Sequence, residues 1–389
     1  MMRKKILASV AVVAAVAAIG FFGFAPGIVE RGMNRWTGAI WPVSAEASAL
    51  HRRLTVIDLH ADTLMWQRDV LAESTQGHVD LERLEAGNVA LQIFSSVTKT
   101  PRGQNYQANG GDTDNITPLV IAQRQPVRTW FSLLERSLWH AQKLRDAEDR
   151  AQGLLRIIRT PADLEKLLAD RAANVPVTGA LLSTEGAQNL EGDIANLGKL
   201  HDAGFRMIGL VHFFDNDVGG SMHGLNKGGL TALGAKVVAE AEQRGMIVDL
   251  AHSSAATFAD VMKLATRPVV VSHGGVKATC DTPRNLSDDQ LLMLKANGGM
   301  IGIGYWDAAV CQPAPQATAR AILHVIKVAG IDHVGLGSDY DGGTTVGFDT
   351  AHLEAVTQAL MTAGLSDSDI AKVMGGNAAR LLAAGLAPR

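Results

Sequence analysis

His60 and Asp62 stand two residues apart at the end of an apolar run, Val56-Ile57-Asp58-Leu59-His60-Ala61-Asp62. On an extended chain, residues i and i+2 leave the same face. An imidazole nitrogen and a carboxylate oxygen pointing the same way suit one divalent cation. A single His-x-Asp is a weak signal. It gains weight because other short apolar runs end in residues of the same kind. These are Glu185-Gly186, His212, Asp249-Leu250-Ala251-His252, Ser272-His273-Gly274 and Gly337-Ser338-Asp339-Tyr340-Asp341-Gly342. Twelve histidines scattered at random would not favour that register.

The donor types suggest a two-metal hydrolytic centre. His60 and Asp62 would hold one ion, and His252 and His273 the other. Glu185, with two carboxylate oxygens, would bridge them. Two ions about 3.5–4 Å apart can share a water and ionise it near neutral pH for attack on a carbonyl carbon. With nitrogen and oxygen donors and no thiolate in the set, Zn²⁺ is expected, and Mn²⁺ or Co²⁺ would also fit. His212 is placed to donate to a developing oxyanion, and Asp339 to carry a proton to a leaving amine. Arg284, in Pro283-Arg284-Asn285-Leu286 after His273, offers a planar fork for a substrate carboxylate.

Those residues need a scaffold that brings strand ends to one rim. Eight strand candidates run over 56–60, 89–97, 179–184, 207–213, 246–251, 268–273, 300–305 and 333–338. Most are short, rich in Val, Ile, Leu and Gly, and bounded by turn residues, as strands buried on both faces are. Helical patterns alternate with them, including one opened by Thr160-Pro161-Ala162-Asp163. The alternation predicts an α/β fold, a (β/α)8 TIM barrel whose chemistry sits at the strands' C-terminal ends. An open doubly wound sheet is the alternative. No Gly-x-Gly-x-x-Gly follows the first strand, so nothing supports a dinucleotide site. Residues 101–117 form an irregular insertion after the second strand and are expected to reshape the mouth of the site.

The chain has 389 residues, enough for two average domains, but a barrel can absorb most of them. Its net charge of −3 gives no reason to expect nucleic acid. Arg3, Lys4 and Lys5 precede an uncharged apolar run from Ile6 to Val29. That run exceeds the about 20 residues needed to span a bilayer. The preferred division is a signal-anchor or signal peptide over 1–30, a stalk over 31–54 and the barrel over 55–389. The preferred location is tethered to a membrane with the barrel outside the cytoplasm. The rival is secretion after cleavage near Ala45-Glu46-Ala47. Outside the cytosol, Cys280 and Cys311 are candidates for a disulfide across neighbouring rim loops, against the alternative of two free thiols.

Taken together, Ile57-Asp58-Leu59-His60-Ala61-Asp62, Ser183-Thr184-Glu185-Gly186, Leu210-Val211-His212 with Asn216 and Ser221, Asp249-Leu250-Ala251-His252, Val271-Ser272-His273, Pro283-Arg284-Asn285-Leu286 and Gly335-Leu336-Gly337-Ser338-Asp339-Tyr340-Asp341-Gly342 resemble the membrane dipeptidases. The resemblance runs from about Thr55 to Leu382. It implies a binuclear zinc dipeptidase with His60, Asp62, Glu185, His252 and His273 as metal ligands. It further implies that His212 contacts the substrate carbonyl, Arg284 anchors the carboxylate and Asp339 transfers the proton. The implied substrates are small dipeptides, including those with a C-terminal D-residue. A homodimer remains open. Two positions depart from the family's pattern. Leu59 and Ala61 replace Gly and Asn. Gly304-Tyr305-Trp306 replaces an Asn-aromatic-Tyr run, so Tyr305 and Trp306 are expected at the substrate with an altered preference. The rival activities are a related metal-dependent hydrolase of another amide, lactam or ester, and a non-catalytic tethered binding protein.

Overall fold

The eight apolar runs close into one parallel barrel. In the computed structural model, which describes residues 2–387, the strands are β1 (Val56–Ala61), β2 (Val89–Val97), β3 (Thr178–Glu185), β4 (Phe205–Gly209), β5 (Ile247–Asp249), β6 (Val270–Gly274), β7 (Met300–Ile303) and β8 (Val334–Leu336). Each pairs in parallel with the next, and β8 returns to β1 through Leu336 opposite Asp58. That last pairing excludes the open sheet. Because every strand runs the same way, all eight C-terminal ends reach one rim.

One apolar cluster collects Ile57, Leu91, Leu181, Met207, Ile247, Val270 and Met300. These come from seven different strands, and only the inside of a closed barrel can bring them together. Leu381 and Leu382 of the helix Asn377–Gly385 join the same cluster. Gly385 approaches Ile247 at the start of β5, so this helix plugs the end opposite the rim. The helix Pro161–Ala172 begins as its sequence requires. The Thr160 side chain accepts from the Asp163 N–H, and the Asp163 carboxylate accepts in return from the Thr160 N–H.

The structure differs from the sequence reading in four places. The fourth strand ends at Gly209, so His212 lies in the loop beyond it. A three-residue strand, Leu155–Ile157, pairs with β3 outside the barrel ring. It is too short for its periodicity to stand out from the long helix before it. A two-residue strand, Arg35–Trp36, pairs in parallel with Thr345–Val346. This pairing ties down part of the segment read as a stalk. The N-terminal segment is helical over Met2–Ile19, opens into a wide turn at Gly20–Phe24, and is helical again over Ala25–Met33. The wide turn lies just ahead of Pro26, whose ring lacks an N–H and crowds the preceding turn. The stretch Lys4–Met33 is long and apolar enough to cross a bilayer.

Candidate active site

Glu185 is the last residue of β3 and sits at the centre of the rim. Its Oε1 lies 3.0 Å from His252 Nε2, 3.3 Å from His273 Nε2, 3.4 Å from His212 Nε2 and 3.6 Å from His60 Nε2. Asp62 Oδ1 is 3.4 Å from His60 Nε2. Three sets of potential ligand atoms lie within 4.8 Å of one another: His60, Glu185 and His273; Glu185, His212 and His252; His60, Asp62 and Asp339. All seven side chains are buried or nearly so. The five expected ligands therefore meet in one place. His212, read from sequence as standing outside that shell, lies as close to Glu185 as the expected ligands do, and Asp339 brings a carboxylate oxygen within 4.8 Å of His60 and Asp62.

The hydrogen bonds suit this cluster to cations. Ser272 donates its hydroxyl proton to Asp249 Oδ2 at 2.5 Å. Its oxygen can then only accept, from His273 Nδ1 at 2.9 Å and His60 Nδ1 at 3.3 Å. Both imidazoles thus donate from Nδ1 and direct Nε2 inward, where its lone pair is available to a cation once any proton there has left. His252 Nε2 and His273 Nε2 are 3.0 Å apart, and two lone pairs at that distance repel unless a proton or a cation lies between them. Among the described residues, His60 Nε2, Asp62 Oδ1 and Glu185 Oε2 are buried with no hydrogen-bond partner. Buried polar atoms are seldom left so. An all-nitrogen-and-oxygen donor set of this kind fits zinc or a similar divalent ion.

Buried polar residues fix the strand tips from behind. Asp249 also accepts the N–H groups of Ala251 and Ser272, both at 2.9 Å. Asp58, below His60, accepts from the His60 N–H at 3.1 Å, the Ser338 hydroxyl at 2.9 Å and Gln92 Nε2 at 3.2 Å. His252 and Asp339 hold left-handed backbone at φ 63° and 59°. Non-glycine residues rarely adopt it outside tightly constrained sites. A Cβ at Gly342 would fall 2.2 Å from Asp339 Oδ1 and 2.8 Å from Asp62 Oδ2, so only glycine lets that turn close over the two carboxylates.

The electrostatics without a bound cation are those of crowded carboxylates. Burial, reinforced by Asp62, pushes Glu185 up to about 7. Burial also drives Asp339 well above the usual carboxylate range, against the opposing pull of His60. For His60, burial pushes down, but Asp62 and Glu185 outweigh it and the imidazole titrates well above its ordinary value. His212, His252 and His273 go the other way, driven down by burial and by positive neighbours, and are neutral.

The cluster opens into a cavity of about 710 Å³. Arg284 lines it, donating Nη2–H to the His273 carbonyl at 2.7 Å and leaving Nε and Nη1 without partners. Trp306 lines it too, its ring 5.7 Å from the Arg284 guanidinium. Tyr305 does not line the cavity. Its hydroxyl donates to Asp58 at 3.3 Å, and its ring packs on Tyr340 and Phe348 in the core. Cys280 and Cys311 are joined as a disulfide that links the Arg284 loop to the segment after β7.

Two parts of the cavity wall had no sequence motif to reveal them. Tyr106, from the 101–117 insertion, accepts a hydrogen bond from Trp306 Nε1 at 3.1 Å. Pro26, Val29, Met33 and Arg35 of the N-terminal segment form another side. The insertion is expected at the mouth, but Tyr106 itself carries no motif.

Comparison with known proteins agrees with the architecture. A model of the family described as "Membrane dipeptidase (Peptidase family M19)" matches residues 44–385. The chain is 37% identical over 355 residues to dipeptidase aclJ of Aspergillus oryzae, covering 85% of this chain and 78% of that protein. A crystal structure of dipeptidase AC, a metallopeptidase of family M19, superposes with a TM-score of 0.70 at 25% identity, covering 85% of this chain and 98% of that one. A metallopeptidase from Rhodobacter sphaeroides, solved with a phosphinate mimic of the dipeptide L-Ala-D-Ala, shares the fold with a TM-score of 0.69 at 24% identity, covering 85% of this chain and 99% of that one.

Proposed function

The chain belongs to the membrane dipeptidase family, peptidase family M19, and is a metallo-dipeptidase; from that premise we propose that it hydrolyses free dipeptides with two zinc ions per chain. His60 and Asp62 would hold one, His252 and His273 the other, and Glu185 both. The observation that carries this reading is the convergence of four imidazole Nε2 atoms on one oxygen of Glu185. Bound there, the ions would supply the positive charge that ionises water near neutral pH and polarises the scissile carbonyl.

The protein's own groups do the rest. Arg284, which lines the cavity and whose Nε and Nη1 have no partner, binds the C-terminal carboxylate. His212, neutral and beside Glu185, donates to the oxygen that gains charge as the carbonyl is attacked. Asp339 takes up the proton released by the attacking water and passes it to the leaving amine nitrogen. A D-residue at the C-terminal position is accepted, and the ligand of the R. sphaeroides neighbour imitates such a dipeptide. The apolar helix tethers the barrel on the outer side of a membrane, with Arg3, Lys4 and Lys5 left inside.

The test is a panel of L-L and L-D dipeptides and N-acyl amino acids, run with metal measured on the same sample. Turnover of dipeptides with two zinc ions per chain is expected. Inertness toward every free dipeptide, with turnover of an acylated substrate, would transfer the site to a different amide hydrolase.

A further inference from the structure

The loop that carries Asp339 is held from outside the barrel by the N-terminal segment. Asn34 Oδ1 accepts from the Gly343 N–H at 2.8 Å. The Arg35 N–H donates to the Thr344 carbonyl at 2.9 Å, and the Thr37 N–H to the Val346 carbonyl at 3.0 Å. The indole N–H groups of Trp36 and Trp41 both donate to the Gly347 carbonyl, at 3.2 and 2.9 Å. Thr344, engaged by Arg35, donates its own hydroxyl to the Asp339 carbonyl at 2.9 Å.

A buried ion-pair chain makes a second tie. Glu30 pairs with Arg68, and Arg68 Nη2 reaches Asp341 Oδ2 at 2.5 Å. Glu30 and Asp341 are 3% and 0% exposed, which is unusual for charges unless they are paired. Asp341 also accepts from Thr63 Oγ1 at 2.7 Å, next to the metal-facing Asp62. Asp339 and Asp341 both hold left-handed backbone, at φ 59° and 63°. Such backbone persists when its surroundings over-determine it, and much of what surrounds this loop comes from residues 30–41.

We propose that residues 30–41 are a positioning device for Asp339, so that the N-terminal segment is a working part of the active site as well as a tether. Glu30 and Asn34 are positioning residues: they touch no reacting atom and act through Arg68, Asp341 and Gly343. This rests on the reading of Asp339 as the proton carrier. It also means that a chain cut near Ala45-Glu46-Ala47 would lose the device.

The experiment uses the full chain in detergent, with Glu30→Gln and Asn34→Ala combined. It reads kcat and KM for a dipeptide, metal per chain, and hydrogen exchange of peptides covering 338–347. We expect kcat to fall by at least about tenfold, given that a 1 Å misplacement can cost roughly 10²-fold. KM and metal content should hold, and exchange in 338–347 should quicken. If the double variant does not fold, Asn34→Ala alone, which removes one hydrogen bond, should show the same pattern on a smaller scale. Unchanged exchange in that loop overturns the proposal, as does a loss explained by departed metal or by KM alone. Quickened exchange with kcat intact overturns it if Asp339→Asn is inactive. If Asp339→Asn is itself active, the loop is clamped as described and the role given to Asp339 is the part that failed.

Discussion

The active site has two tiers built in different ways. The inner tier, His60, Asp62, Glu185, His252 and His273, sits at or just beyond strand ends. Sheet register places Glu185, since seven consecutive residue pairs from Leu91–Gly179 to Val97–Glu185 fix β3 against β2, while His60 and His273 lie where the register of β1 on β2 and of β6 on β7 shifts. The outer tier is assembled from an insertion, the loops after β7 and β8, and the N-terminal segment, all of which line the cavity. The inner tier is therefore suited to chemistry, which tolerates little displacement. The outer tier can vary without disturbing the strand-tip cluster, and it is suited to choosing the substrate.

The largest effect that could break this division is at Asp339, which belongs to the outer loop but reaches His60 and Asp62 of the inner tier. Asp339→Asn should keep bound metal and lower kcat by about 10²–10⁴-fold, the usual contribution of a positioned general acid or base. Loss of metal in that variant would make Asp339 a ligand and move it wholly into the inner tier.

A second test addresses the inner tier alone. Near pH 7 the metal-free site holds protons on His60 and, in part, on Glu185, while His252 and His273 are already neutral. Ligation requires those protons to leave. Affinity for zinc should thus rise as pH climbs through about 7, by up to about tenfold per pH unit for each proton displaced. Calorimetry in two buffers of different ionisation enthalpy would count the protons released. Binding that is flat between pH 6 and 8 would mean that the crowded carboxylate and imidazole are not the groups the ion meets.

The same division explains what could be read from the chain. The barrel and inner tier were legible because a parallel barrel turns a one-dimensional pattern, an apolar run and then a donor, into a shared rim. His212 was legible as a site residue but not as a neighbour of Glu185, because its strand ends four residues earlier than the 207–213 run suggests. Tyr305 and Trp306 show the limit of reading adjacent residues together. Just beyond the end of β7 the two side chains part, so Trp306 meets the cavity while Tyr305 packs in the core and donates to Asp58. The clamp formed by residues 30–41 had no local signature. Arg35–Trp36 is a strand of two residues whose partner lies more than 300 positions away.

The smallest predicted effect sharpens the outer tier's role. Burial pushes Tyr106 up to about 12, so its hydroxyl stays protonated across the working range. That oxygen already accepts from the Trp306 indole, which leaves its own proton free for a substrate polar group. Tyr106→Phe removes this donor and strips the indole N–H of its partner. One hydrogen bond is worth about 1 kcal/mol net, or roughly fivefold in an equilibrium. KM should rise by about that factor with kcat unchanged, because the ring still packs on Phe213 and His223. A fall in kcat much larger than the change in KM would place Tyr106 in the reaction itself, and the insertion would then belong with the strand tips and not with the selecting wall.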